Sequence, residues 1–419
     1  MKRNYIGVII MKKDINKKIT NNLKKEDINS KLLFIHGATK AFEDCNGNVF
    51  VPGAYSKDVW ERYYKLSPNI MALFRKEEKK VPHNLVDNKY QILDKSINFI
   101  EIPNFTKNIF SIFSIKKNII NNNIIKKNII ESDIVVARVP SYQSYTAIKY
   151  SKKYNKKLIV EVVGCPFDAL WYHGIKGKFI AIPEMLLMKH YVKISPNVIY
   201  VTKKFLQKRY PTKGNYIECS DVVLKDLFQD NLNNRLNKIE ENAQQKIVIG
   251  TVGDVDVKYK GHKYVIKAIS ELKKQGYNYE YQLVGGGNNK RLMKLANKLN
   301  VIEEIKFLGP MTHEKVLNWY KNIDIYIQPS NTEGLCRSII EAMSVGCPCI
   351  VSNAGGNIEL INEEFIFKKK NTKDFIKKLK NMNKENMIRQ AKINFKGANK
   401  YDINTLNERR MHFYEKILK

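Results

Sequence analysis

Acidic residues are scarce in this sequence. Against 73 lysines and arginines stand only 41 aspartates and glutamates, which gives 419 residues a formal charge of +32 and a pI near 9.6. Such a balance predicts attraction to something anionic: nucleic acid, an acidic membrane face or a phosphorylated substrate. Lys, Asn and Ile are heavily used along almost the whole chain, as nucleotide bias in a genome would produce, so part of the excess names no partner. Long apolar runs are missing, and none approaches the ~18–20 residues of a membrane span. The opening run YIGVIIM ends at Lys12 and Lys13 without a cleavage site, so any membrane contact is expected to be peripheral. Cysteine is sparse too. Cys45, Cys165, Cys219, Cys336, Cys347 and Cys349 form no C-x-x-C and no zinc-like spacing with histidine, which fits a reduced, cytoplasmic chain. Helix-turn-helix, zinc and RNA-recognition signatures are absent as well, leaving charge as the sole support for a nucleic-acid-binding protein.

What is present is alternation. Residues 1–30 are polar and lysine-rich and read as an extension; KLLFIHG, from Lys31, is the first convincing strand. SDIVVARVPS, KLIVEVVG and NVIYVT follow as buried parallel strands separated by helical stretches, which makes 31–223 one doubly wound domain. The polar segment 224–245 reads as a linker. A second series runs through KIVIGTVG, YEYQLVG, IKFLG, DIYIQPS and CPCIVSN, giving a domain over 246–399, and the final helix, 400–419, is expected to rejoin the first domain. Two doubly wound domains leave a cleft where strand C-termini and helix N-termini converge. IKKNII occurs at 115–120 and again at 125–130, with isoleucines spread around a helix axis. Just upstream, FTKNIFSIFSIKK sets Ile109, Phe110, Ile112 and Phe113 beside lysines, either as a core-facing helix or as one that docks on an anionic bilayer.

The stretch NTEGLCRSIIEAMSVGCP carries the chemistry. Leu335, Ile339, Ala342, Met343 and Gly346 have the spacing of a buried helical face, which turns Arg337 and Glu341 elsewhere. As a surface ion pair these two would contribute only ~0.3–0.5 kcal/mol. Their order, base before acid, also opposes the macrodipole. An arginine at a helix start suits an external anion held on the backbone N–H groups after Gly334. Glu341 then lies roughly 9 Å further on, at ~1.5 Å per residue, where a carboxylate can accept from two ribose hydroxyls. Glu333, ahead of the helix, reaches the opposite way, toward whatever the diphosphate carries.

The E-x7-E from Glu333 to Glu341, with SNAGGNIELI after it and VKYKGHKYVIKAI and LVGGGNNKRL before it, resembles the donor-binding signature of family 4 retaining glycosyltransferases. The likeness extends from about Lys246 to Asn362. It implies an α/β chain of the GT-B fold, two Rossmann-like domains facing a cleft, with no metal at the donor site. It also implies that Glu341 binds the nucleotide ribose, that Glu333 contacts the donor hexose, and that Lys260 of the Lys260-Gly261 pair neutralises the departing pyrophosphate, a fixed cation at developing charge.

Departures accompany it. Many members have an arginine six residues before that lysine, where this chain has Asp254; Lys258 or Arg337 supplies the missing charge, or the clamp is weaker. Asp254 and Asp256 spell D-V-D, which in the GT-A fold would hold a metal-bound diphosphate, but the repeated β/α units fit GT-B. Gly285, Gly286 and Gly287 could let a ligand approach the backbone or form a tight turn, and Ala354-Gly355-Gly356 has the same status. The long segment after the first strand, HGATKAFEDCNGNVFVPGAYSKDVWERYY, is expected to be a loop facing the cleft, with Gly53 matched to the family's diphosphate glycine. Where relatives carry a sugar-contacting histidine this chain has Val163, and Asp168 or His173 is the substitute unless both are structural. Arg138 is either an acceptor-side or phosphate contact or an ion pair inside its domain.

The implied activity is transfer of a hexose-type sugar from a nucleotide diphosphate to a lipid-linked or polysaccharide acceptor with retention of configuration, with Lys260, Glu333 and Asp168 as catalytic candidates. Gly53, Lys258, Gly285, Gly286, Gly334, Leu335, Arg337 and Glu341 are the expected donor contacts, and Arg138 and His173 the acceptor-side ones. The rival enzyme reading is a GT-B nucleotide-sugar epimerase, which needs no acceptor.

Overall fold

The structure, a computed structural model, describes residues 29–77, 90–103, 115–172, 174–225, 227–241 and 246–419. All but the last two residues of the expected extension and most of FTKNIFSIFSIKK lie outside these residues, as does His173.

The first domain begins with β1 (Lys31–Glu43), β2 (Val49–Pro52), α1 (Lys57–Tyr64), β3 (Asn69–Lys76), β4 (Tyr90–Ile92) and β5 (Asn98–Pro103). It continues through α2 (Ile115–Ile130), β6 (Ile134–Val139), α3 (Tyr142–Lys153), β7 (Lys157–Val162), α4 (Pro166–Trp171), α5 (Ile175–Lys193), β8 (Asn197–Tyr200), α6 (Phe205–Arg209) and β9 (Asn215–Glu218). Parallel pairing orders the main sheet β5-β3-β1-β6-β7-β8-β9. Its central strands are buried on both faces because helices cover both. Phe34, Tyr55, Trp60, Tyr63 and Phe74 pack edge-on and tilted beneath one of them.

The segment after the first strand is not a long loop. β1 runs on to Glu43, turns into antiparallel β2, and β2 pairs β4, so a small ribbon grows from the sheet. Asp44 makes the turn, its Oδ1 accepting from the N–H groups of Asn46 and Asn48 at 2.8 Å each. On α2, Ile125 and Ile129 are fully buried while Ile119, Ile120 and Ile130 are exposed.

The stretch 224–245, expected as a linker, holds helix α7 (Gln229–Glu241), and this helix packs on the second domain. Arg235 is buried and donates to the carbonyls of Ile323 at 2.7 Å and Tyr320 at 2.6 Å, while Lys238 pairs with Asp324 at 2.7 Å. A polar helix thus docks by supplying donors to a helix C-terminus.

The second domain continues with β10 (Ile247–Val252), α8 (His262–Lys273), β11 (Tyr279–Val284), α9 (Lys290–Lys298), β12 (Ile305–Gly309), α10 (His313–Asn322), β13 (Ile325–Gln328), α11 (Arg337–Ser344), β14 (Cys349–Ser352), β15 (Ile366–Phe367), α12 (Thr372–Lys380) and α13 (Lys384–Ala398). The sheet order β12-β11-β10-β13-β14-β15, parallel throughout, is the doubly wound dinucleotide-fold order. Its direction of winding reverses between β10 and β13, so a crevice opens beyond their carboxyl ends.

The last helix, α14 (Ile403–Leu418), crosses back to the first domain. Arg409 donates to the Glu218 carbonyl at 3.0 Å, Arg410 to that of Ser220, and Lys157 to that of Leu418 at 2.8 Å, over buried Leu406, Phe413 and Tyr414.

Candidate active site

Two turns leave the crevice between β10 and β13, and each ends in a charged side chain aimed at the other. After β10, a short 3-10 turn (Lys258–Lys260) leads into α8 through Gly261, whose φ is +80°. A Cβ there would lie 1.9 Å from the Pro329 carbonyl oxygen, so only glycine lets this turn press against the one after β13. The close approach sets Lys260 Nζ 2.8 Å from Glu333 Oε1.

Glu333 is held from three sides. Its Oε1 also accepts from Ser330 Oγ at 2.7 Å and Gln328 Nε2 at 3.1 Å. Burial works against the charge of Lys260, but the Glu333 carboxylate outweighs it and pushes the ammonium above the ordinary lysine range. The result is a fixed cation at the carboxyl edge of the sheet.

Glu341 lies on α11, with both carboxylate oxygens in contact. Tyr320 donates to Oε2 at 3.2 Å and His313 Nε2 stands 3.5 Å from Oε1. Burial raises the carboxyl's pKa, yet His313, Arg337 and Tyr320 together hold it below its ordinary value, so it is an acceptor at neutral pH. Arg337, the first residue of α11, is exposed and draws down the carboxyl pKa of Asp221 from the first domain as well, so its charge stands where the domains meet.

The glycines serve approach. Gly285 has φ +154°, and a Cβ on it would meet the Gly253 carbonyl oxygen at 2.3 Å, so the turns after β10 and β11 nest directly. Gly286 N donates to Asp254 Oδ1 at 3.1 Å, and Asp256 lies against Gly287. The two aspartates of D-V-D therefore support this glycine turn. Among the described residues no group of three His, Cys, Asp or Glu side chains could hold a metal ion.

The domains touch at this site. A Cβ on Gly334 would fall 2.4 Å from the Val163 carbonyl oxygen, and the Gly356 N–H donates to the Gly334 carbonyl at 2.8 Å. Leu335 packs behind, near Gly356. Glu359 accepts from the backbone N–H groups of Lys203, Lys204 and Phe205 at 2.5, 3.0 and 2.7 Å, at the start of α6 in the other domain.

Of the expected residues, Lys260, Glu333, Gly334, Leu335, Arg337 and Glu341 share this one crevice, with Gly285 and Gly286 on the adjoining turn. Lys258 is exposed on the 3-10 turn. Others are elsewhere engaged. Asp168 pairs with Arg209 at 2.7 Å, and Arg209 also donates to Cys165 Sγ at 3.0 Å, so its carboxylate fastens α4 to α6. Arg138 is buried between Asp221, at 2.7 Å, and Glu161, at 3.2 Å, with Tyr63 donating to Glu161 at 2.9 Å. Of its two readings, the ion pair inside the domain is what the geometry provides. Gly53 is exposed on a short turn after β2. Gly37 lies midway along β1, where the pairing with β3 shifts register between Ile35 and Lys40, and a Cβ there would collide with Gln143 Oε1 at 2.0 Å.

Gln328, Ser330, His313, Tyr320 and Glu359 were not foreseen. Gln328 carried a signal, closing the otherwise apolar strand Ile325–Gln328; the others had none in spacing.

The family model described as "Glycosyl transferases group 1" matches residues 233–399. Protein CapJ of Staphylococcus aureus is 36% identical over 398 residues, which cover 92% of this chain and 96% of that protein. The chain belongs to the group 1 glycosyl transferases. This glycosyltransferase is also 26% identical over 229 residues to the capsular polysaccharide biosynthesis glycosyltransferase CapH of the same organism, across 54% of this chain and 59% of that one. In fold it is similar to the Anabaena protein Alr3699/HepE, crystallised with UDP-glucose, at a TM-score of 0.63 and 14% identity over 92% of this chain and 99% of that one. The architecture is GT-B, and among the described residues no helix is long and apolar enough to cross a membrane.

Proposed function

We propose that this glycosyltransferase moves a hexose-type sugar, with retention of configuration, from a nucleotide diphosphate to a lipid-linked or growing polysaccharide acceptor in capsule synthesis. The observation that carries the reading is the Lys260–Glu333 pair at the reversal point, one helix away from Glu341. Likeness to CapH supports the polysaccharide role, and likeness to a protein crystallised with UDP-glucose supports a nucleotide-sugar donor.

Each role follows from the chemistry of its group. Glu341 accepts from the ribose hydroxyls. The diphosphate lies along the turn from Gly334 to Arg337, where backbone N–H groups and the guanidinium favour an anion. Glu333 orients a sugar hydroxyl. Lys260 meets the charge that grows on the diphosphate as its bond to the sugar breaks, a preorganised stabilisation inside a closed cleft. No metal is required by these roles.

The experiment is thermal unfolding with UDP, GDP, ADP and CMP, with and without EDTA, followed by product analysis with the nucleotide sugar of the base that binds. One diphosphate should stabilise the protein without metal, by about 2.7 kcal/mol at ~100 times its dissociation constant. Release of free nucleoside diphosphate on adding an acceptor supports transfer; an altered nucleotide sugar without acceptor would replace the reading with epimerisation.

A further inference from the structure

Helix α5 presents an apolar stripe to solvent. Ile175, Phe179, Ile182 and Leu186 recur at helical spacing and are 75%, 79%, 51% and 56% exposed, while Gly177, Ala181, Met188 and Val192 form the buried side. Four large apolar side chains in one exposed row exceed the scattered exposure normal for a soluble surface.

The same row changes character toward the helix end. Continuing at the same spacing it reaches Lys189 and Lys193, which with His190, Lys208, Arg209 and Lys213 line a depression of about 530 Å³ without a single acidic lining residue. Lysines also stand at the other end, where Lys178 Nζ lies 5.3 Å from the ring centroid of half-exposed Trp171. The only acid on the helix, Glu184, is on the inner side in contact with Tyr145.

We propose that α5 docks this domain on an anionic bilayer, with Ile175, Phe179, Ile182 and Leu186 in the headgroup boundary and the basic depression taking a lipid phosphate. An interfacial helix needs this combination of an apolar row and flanking cations. A second copy of the chain is the poorer occupant. With lysines at both ends and no outward acid, parallel or antiparallel pairing of two α5 helices sets like charges together.

The position gives the contact a use. The segment before α5 leads from Val163, which touches Gly334, through α4 to Tyr172, whose ring lies under Lys369 and Lys370 of the other domain at 5.2 and 4.5 Å. The docking face therefore begins at the mouth of the cleft. An acceptor anchored in the same bilayer could enter without leaving it. This surface goes beyond the sugar-transfer reading, and the two can fail separately.

The test is co-sedimentation of the full chain with vesicles of phosphatidylcholine alone or with about 30 mol% phosphatidylglycerol, at about 0.1 M and 0.5 M salt. Wild type should bind the anionic vesicles, more weakly at high salt. Phe179→Ser with Leu186→Ser should weaken binding about tenfold or more. Lys189→Glu with Lys193→Glu should remove the preference for anionic lipid. Retention of the nucleotide-induced thermal shift in both variants shows that the fold is intact. The proposal is overturned if wild type stays unbound at low salt, if the serine variant binds as wild type does, or if wild type is a dimer that this variant dissociates. A missing nucleotide shift in wild type would count against the donor reading and leave the vesicle result standing.

Discussion

Lys260 and Glu333 form an ion pair, at 2.8 Å, between the two turns that flank the reversal point of the second sheet. The pair is mostly buried, so removing one partner strands the other. Lys260→Met should lower kcat by about 10²–10³, the cost of losing one preorganised charge at a leaving group. It should also lower stability by about 1–3 kcal/mol through the unpaired carboxylate, and Glu333→Gln added to it should restore part of that loss. Steady-state kinetics and urea unfolding check the two halves. Equal stability of the single and double variants would show that the pair is not coupled.

His313 and Glu341 give a pH dependence with a definite sign. The hydrogen bond that His313 donates to the Glu341 carboxylate raises the His313 pKa, so its contribution is fully present below the unfolded value of ~6.5 and is lost as pH rises through the folded one. Glu341 has the opposite shift: its contribution is present above ~4.3 and is lost as pH falls through its lowered value. His313→Gln should therefore reduce the melting temperature near about pH 5.5–6 and progressively less toward about pH 9. A difference independent of pH would sink this account.

Gly334→Ala is a test of domain closure. The added methyl meets the Val163 carbonyl oxygen at 2.4 Å, backbone against backbone, which neither side can relieve by a rotamer change. Turnover should fall about tenfold or more while the melting temperature moves little, because the clash acts only between domains. Kinetics beside calorimetry would reveal it; unchanged kcat would mean the domains work further apart than they stand here.

Glu359→Gln probes the same closure from the other side. The carboxylate collects three backbone N–H groups at the start of α6, and hydrogen bonds to charge contribute about 1.5–3 kcal/mol each before exposure is discounted. The variant should sample open arrangements more, with a larger radius of gyration in X-ray scattering and a higher donor KM. Identical scattering curves would argue against a latch.

The second domain was legible because its strands are short and most end in glycine or small polar residues, and because E-x7-E states a spacing from the turn before α11 to the fifth residue of that helix. Elsewhere the sequence misled for identifiable reasons. NIMALFRK is an apolar run without period-two alternation, so β3 carries no mark that separates it from a buried helix. Helix α7 looked like a linker because the residue it buries most usefully is Arg235, which a hydropathy pattern counts as solvent-facing. Gly37, inside β1, carries no mark of its own until Gln143 is seen against it. Asp168 and Arg138 looked chemical because acids and bases at strand ends often are, and partners 41 and 83 residues away decide otherwise.

Helix α14 makes the chain's last residues part of its first domain. Synthesis from the N-terminus therefore delivers the complete second sheet while the first domain still lacks the helix that covers Cys219 and shields Arg410's partner carbonyl at Ser220. The first domain can finish folding only once residues 403–418 have been made. A truncation just after Tyr401 would spare every donor-site residue named above and still leave an enzyme whose two halves lack their second tether.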